Sequence, residues 1–390
     1  MPIRNRLADL HDEITGWRRD IHAHPELQFD VERTAGFVAD KLREFGVDEV
    51  VEGIGRTGVV AIIKGKSQSS GKVIGLRADM DALPIIEATS LPYASTVSGR
   101  MHACGHDGHT AMLLGAAKYL SETRNFDCSV AVIFQPAEEG GAGGKFMVED
   151  GMMERFGIQQ VYGMHNMPGM PIGQFATRVG PLMASTAEFV INIEGKGGHA
   201  AMPHMSIDTT LVASHLTVAL QSIVSRNADP KESLVLTVTA MHTEGDSFNV
   251  IPQKAKLQGT VRALTSEMQD LAEQKINLLA EHTCQAFGAT AQVNFTRGYP
   301  VTVCHEAETR FSVDVAKHLV GDDRVDGETR PLMGAEDFSY MLEARPGSFI
   351  FIGNGDTANV HHPEYDFNDD AIPFGCSYWA DLVESSMPAS

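Results

Sequence analysis

The chain has 390 residues, a length that favours two or three compact units over one. Apolar residues make up 43% and charged residues 21%, with 37 glycines and 17 prolines, which excludes collagen-like, coiled-coil and wholly disordered readings. Lysine and arginine number 31 against 51 aspartates and glutamates, and the resulting formal charge of −20 repels phosphate backbones and anionic lipid, so neither nucleic acid nor membrane is expected as a partner.

Residues 3–22 place Ile3, Leu7, Leu10, Ile14 and Trp17 at helical spacing, and residues 33–45 do the same with Phe37, Val38, Leu42 and Phe45. No apolar stretch in this opening segment is long enough for a secretory signal, and no run anywhere approaches the ~18 residues of a membrane helix, so a soluble, cytoplasmic protein is expected. Strand-like runs follow at 58–64, 72–78, 129–134 and 161–165, with a helix over about 109–120. This alternation predicts an α/β sheet covered by helices. From about Leu182 the rhythm changes to strand 188–194, helix 207–225, strands 233–241 and 254–262, helix 266–287 and strand 290–295. That order is the βαββαβ of a ferredoxin-like unit. Its third strand alternates cleanly, with Ala255, Leu257, Gly259 and Val261 on one face. Ser266, with Gln269 three residues on, reads as a capping box. A mixed pattern then resumes, with helix 305–320, strand 348–353 and a last helix near 372–386. The expected organisation is a discontinuous catalytic domain, 1–182 and 296–390, carrying an inserted domain at 183–295.

The densest chemical constellation is MHACGHDGHT at 101–110. Cys104 and His106, two apart in an irregular turn, can face one point, and thiolate plus imidazole suits zinc or another late first-row divalent ion. The same residue types also cap helices and populate glycine-rich turns. In QPAEEGGAGG at 135–144, Glu138 and Glu139 follow a buried-looking strand, at the edge where α/β sheets place their sites. Adjacent side chains of an extended chain face apart, so one glutamate can bind a metal while the other serves as general base. An isolated pair of this kind is more often a solvated turn ahead of a helix. GMHNMP at 163–168 presents His165, and VHHPEYDFND at 360–369 presents His361 and His362. One metal centre at a single sheet edge accounts for all these groups together. A Cys104 nucleophile with His106 or His109 as base is disfavoured, because the base would lie in the same turn. The five cysteines, Cys104, Cys128, Cys284, Cys304 and Cys376, are odd in number and scattered, which predicts thiols rather than a disulfide framework.

Together with HAHPEL (22–27), RADMDALP (77–84), GKGGHAAMPH (195–204), FNVIPQ (248–253) and MGAEDFSYM (333–341), these blocks resemble the M20 peptidase family. They are similar in particular to its amidohydrolase branch of hippurate hydrolases, N-acyl-amino-acid amidohydrolases and plant auxin-conjugate hydrolases. The resemblance covers essentially the whole chain. It implies a catalytic domain like that of metal-dependent aminopeptidases, with an inserted α+β ferredoxin-like lid and dimerisation domain. It implies two divalent ions per subunit (Zn, Mn, Co or Ni) on Cys104, His106, Glu139, His165 and His361, with Glu138 as general base and His362 a bland neighbour. Where families outside this branch place a ligating histidine two residues before an aspartate, this chain has Asp79-Met80-Asp81, and Asp81 is then the residue that orients a ligand.

By the same resemblance, His199 polarises the substrate carbonyl, often from the partner subunit; read without the family, it caps the helix after Pro203. Asn249 and Arg262 become candidates for the substrate carboxylate, although Arg262 equally reads as a solvated strand residue. The implied activity is hydrolysis of N-acyl-L-amino acids, small molecules of hippurate or N-acetyl type, by a homodimer or dimer of dimers. A dipeptidase or carboxypeptidase of the same fold and a non-catalytic metal-binding homologue are the rivals.

Overall fold

The computed structural model describes residues 4–389; Ile3, part of the predicted first helix, lies outside them. The chain divides into two compact units. One comprises the described residues up to Gly180, Val303–Arg330 and the segment from Asp337 onward, and the other Pro181–Thr302 with Pro331–Glu336.

Among the described residues, the first unit is built on an eight-stranded sheet. Its centre is four parallel strands in the order Ser129–Gln135, Val73–Asp79, Gln160–Met167 and Gly347–Gly353. These sequences are nearly continuous apolar runs because parallel strands are covered on both faces, and SVAVIFQ and GSFIFIG are buried along their whole length. Gly58–Lys64 extends the sheet antiparallel to Ser129–Gln135, and Glu49–Ile54 forms an edge beyond it. That edge strand, EVVEGI, is half-exposed and carries two glutamates, so it shows neither an apolar run nor alternation and escapes prediction. Helices His11–Ala23, His106–Thr123 and Ile372–Ser386 share one core with the sheet, through Ile14, Leu113, Trp379, Leu76 and Val130. The single helix expected at the start is two, Asn5–Asp9 and His11–Ala23. The ladder nearly continues through Leu10, whose amide donates to Arg6 O and whose carbonyl accepts from Ile14 N–H.

The second unit is a four-stranded antiparallel sheet in the order Leu234–Thr243, Lys254–Ala263, Ser185–Glu194, Thr290–Arg297, the ferredoxin-like arrangement. Ala255, Leu257 and Val261 share a core with Phe189, Ile191 and residues of helices Thr209–Ser222 and Ser266–Ala286, as the alternation requires. Gly259 has to be glycine: a Cβ there would lie 2.2 Å from the Thr237 carbonyl and 2.4 Å from the Phe189 ring. The capping box is displaced by one residue. Thr265, not Ser266, is the N-cap and accepts from Met268 N–H, while Gln269 turns away and donates to the Thr186 carbonyl. All five cysteines are free and buried. No helix among the described residues is long and apolar enough to cross a membrane.

Candidate metal centre

The parallel strands of the first unit end at one edge, and the loops beyond them carry the chemistry. Asp79 closes its strand and Asp81 follows two residues on. Glu138 and Glu139 lie in the turn after Gln135, His165 lies within Gln160–Met167, and His361 lies on the loop beyond Gly353. His106 opens its helix, three residues earlier than predicted, because a first turn of His106, Asp107 and His109 carries no apolar signal.

These groups converge. The ligand atoms of Cys104, His106 and His165 lie within 4.8 Å of one another, as do those of Cys104, Glu139 and His361, and those of His106, Glu138 and Glu139. Cys104 Sγ is 3.3 Å from His165 Nε2, and His361 Nε2 is 3.3 Å from Glu139 Oε1. All five expected ligands and the expected base thus share one spot. His362 points elsewhere: it is exposed, and its Nδ1 accepts from Glu364 N–H.

The surroundings set the role open to each group. His165 Nδ1 donates to the Asn166 carbonyl at 2.6 Å, which fixes the tautomer and leaves the Nε2 lone pair facing Cys104. His106 is fully buried, and its Nε2 has no hydrogen-bond partner among the described residues. Asp81, also buried, accepts from Glu138 N–H through one oxygen (2.9 Å) and from Glu139 N–H through the other (3.0 Å), and lies 3.5 Å from His106 Nδ1. One carboxylate therefore fixes the backbone of both glutamates. The Glu138 side chain accepts from Asp337 N–H at 3.4 Å.

Burial opposes a positive charge on His106, yet Asp79, Asp81 and Glu139 raise its pKa to about 10. Burial, with Glu139, Glu138 and Asp79 beside it, pushes the Cys104 thiol well above its usual value. Such a thiol is the opposite of an activated nucleophile. Surplus carboxylate, a thiol, imidazoles and a buried unpartnered nitrogen form a donor set that a divalent cation satisfies, displacing the protons as it binds. The residues present fit a metal.

Several supporting residues carried no assigned role in the sequence. Arg77, fully buried, donates to Asp79 (2.7 Å), Asp337 (2.9 Å) and Gln135 (2.9 Å), and Tyr365 donates to Asn166 Oδ1 (2.7 Å). Their only trace was position inside the motif blocks.

The remaining candidates belong to the second unit. His199 is exposed on a two-residue strand paired with Val250–Ile251, and its Nδ1 accepts from Ala201 N–H at 3.0 Å. It caps no helix: Asp208 caps the helix that follows, accepting from Thr210 and Leu211 N–H. His199 and Asn249 line one open groove of about 650 Å³. Arg262 lies apart, half-buried in a groove of about 370 Å³ with Glu188 and Gln258, and donates to Thr260 Oγ1 and the Val261 carbonyl.

Residues 75–385 match the model of peptidase family M20/M25/M40. The chain is 44% identical over 377 residues to the hippurate hydrolase of Campylobacter jejuni, covering 97% of each. It is 42% identical over 367 residues to the N-acetyl-L-cysteine deacetylase of Bacillus subtilis, covering 94% of this chain and 86% of the relative. A solved dinuclear metal-binding peptidase of the M20 family from Bacillus subtilis matches with a TM-score of 0.85 at 34% identity, over 97% of this chain and 99% of that one. The chain belongs to peptidase family M20/M25/M40. Within that family it is a metal-dependent amidohydrolase, in the branch its sequence blocks resemble.

Proposed function

We propose that this amidohydrolase cleaves N-acyl-L-amino acids, of hippurate or N-acetyl type, to a carboxylate and a free amino acid. Two divalent ions, from among Zn, Mn, Co and Ni, are held by Cys104, His106, Glu139, His165 and His361. The observation that carries this reading is that overlapping triads of those five groups and Glu138 each bring their ligand atoms within 4.8 Å, with Glu138 and Glu139 on a turn anchored by Asp81.

When bound, the ions polarise the amide carbonyl and lower the pKa of a water at the site. Glu138 takes the proton from the attacking water and returns it to the leaving nitrogen, so that one carboxylate serves as base and then acid. Its support from Asp81 through the backbone and from Asp337 through the side chain suits a group that must hold one position through both transfers. Glu139, facing Cys104 and His361, is the ligand of the pair. His199 holds the developing oxyanion: with Nδ1 accepting from Ala201, the ring proton sits on Nε2, which is left as a donor. Asn249 and Arg262 bind the substrate carboxylate, and the working form is a cytoplasmic homodimer, or a dimer of dimers, in which His199 serves the partner subunit's site.

Release of amino acid from hippurate, N-acetyl amino acids and unblocked dipeptides, each with metal-loaded protein, tests the reading. Turnover of N-acyl compounds is expected. Turnover confined to unblocked dipeptides would replace it with a dipeptidase.

A further inference from the structure

His109 lies among the proposed ligands without being one of them. Its ring centroid is 5.5 Å from that of His106 and 4.6 Å from that of His165, and the side chain is buried. Asp79, His106 and His109 also place ligand atoms within 4.8 Å of one another, so proximity alone would allow His109 to bind an ion. Its hydrogen bonds argue otherwise. The backbone N–H of Asn166 donates to His109 Nε2 at 2.9 Å, and because a backbone N–H can only donate, Nε2 carries a lone pair rather than a proton. The ring proton is therefore on Nδ1, which donates to Asp79 Oδ1 at 2.7 Å. Both nitrogens are in use, one as donor and one as acceptor.

On each side the chain of contacts runs to a proposed ligand. Asn166 follows His165, takes the His165 Nδ1 proton at its carbonyl, and donates from Nδ2 to the Cys104 carbonyl at 2.6 Å. Asp79, fixed by Arg77, has its other oxygen 3.7 Å from His106 Nε2. We infer that His109 is a positioning residue: it locks Asn166 and Asp79, and through Asn166 the directions of His165 and Cys104, while binding no ion and moving no proton itself. This inference rests on the metal reading given above.

The test uses the full chain, stripped with chelator and titrated with Co²⁺. Visible absorption reports ligand geometry, and chelator competition reports affinity. His109→Leu removes both hydrogen bonds; His109→Gln retains an amide able to accept from Asn166 and to donate to Asp79. Loss of a residue that orients ligands typically weakens metal binding by about 10–100-fold. His109→Leu should show that loss and a shifted Co²⁺ spectrum, with two ions still bound at saturation and kcat reduced at unchanged KM. His109→Gln should recover most of the affinity. If the leucine variant does not fold, His109→Asn, whose shorter amide cannot meet both Asn166 N–H and Asp79, takes its place: weakened affinity and an altered spectrum at full stoichiometry support the role, and wild-type affinity and spectrum overturn it. Unchanged affinity and spectrum in both variants would overturn it, as would a fall from two ions to one, which would make His109 a ligand. Wild-type protein that takes up no Co²⁺ would instead overturn the metal reading, and the positioning role with it.

Discussion

The backbone amide of His361 donates to the carbonyl of Ala103 at 2.6 Å. His361 has φ +65°, a left-handed conformation that side chains other than glycine adopt at a cost of about 1–3 kcal/mol, and this bond ties it to the residue preceding Cys104. Two proposed ligands from distant parts of the chain are thus joined through a backbone hydrogen bond, independently of any ion they share.

Prolonged chelation should abolish activity, and Mn²⁺, Zn²⁺ or Co²⁺ should restore it. Because the ions bind the folded site and not the extended chain, the metal-loaded protein should also melt at higher temperature than the stripped one. Calorimetry with and without metal checks this; equal melting temperatures and full activity in stripped protein would sink it. Cys104→Ser should lower metal content as well as rate, since a hydroxyl is a far poorer ligand than a thiolate.

The adjacent glutamates should separate by substitution. Glu138→Gln keeps the shape and loses the base, so kcat should fall by at least ~10²-fold with metal retained. Glu139→Gln should weaken metal binding. Metal analysis beside turnover distinguishes the two, and the reverse pattern would exchange their roles.

Arg18 is fully buried, with its guanidinium on Asp107 and Asp366. Arg18→Met should leave the Asp107 charge buried and short of a partner, at a cost of about 3–5 kcal/mol. Urea denaturation reads this directly, and a loss below ~1 kcal/mol would show that the remaining partners compensate.

His22 sits 2.8 Å from Asp107 and 3.4 Å from Glu87. Burial opposes its charge, but these carboxylates raise its pKa to about 9, above the ordinary value of 6.5. A raised pKa means that the folded state holds the proton more tightly, so the contribution is complete below pH 6.5 and lost as pH rises toward 9. The stability difference between wild type and His22→Gln should shrink across that window. A constant difference would mean that His22 is uncharged in the fold.

His199→Ala should cut kcat by roughly 10²–10³-fold, as for one lost oxyanion donor, with metal content intact. Mixed with Glu138→Gln protein under subunit exchange, it should regain activity if His199 serves the partner's site. No regain despite proven exchange would place His199 in its own subunit's site or outside catalysis.

Regular elements were legible because their burial is periodic. The alternation in Lys254–Ala263 fixed a face, and the apolar run in Gly58–Lys64 fixed a buried strand. The proposed ligands were legible as residue types within motif blocks. Signals that depend on a partner in space were not. Asp81 holds two amides more than fifty residues away, and His109 takes its tautomer from Asn166, so no local pattern marks either bond. The helix cap failed for a local reason: Thr265 and Ser266 are both competent caps, and only the backbone turn at Thr265 chooses between them.

The strand Gln160–Met167 pairs on one side with Val73–Asp79 and on the other with Gly347–Gly353, which is translated some 180 residues later. At roughly 5–20 residues per second a ribosome needs about 10–40 s to supply that second neighbour. Throughout the interval, the nascent chain carries an apolar strand with one open edge and four of the five proposed ligands, while His361 has yet to be made. An open edge of this kind is a template for pairing with another chain. The proposed ligand set is complete only once His361 has been translated, so truncated translation products lack one of its members.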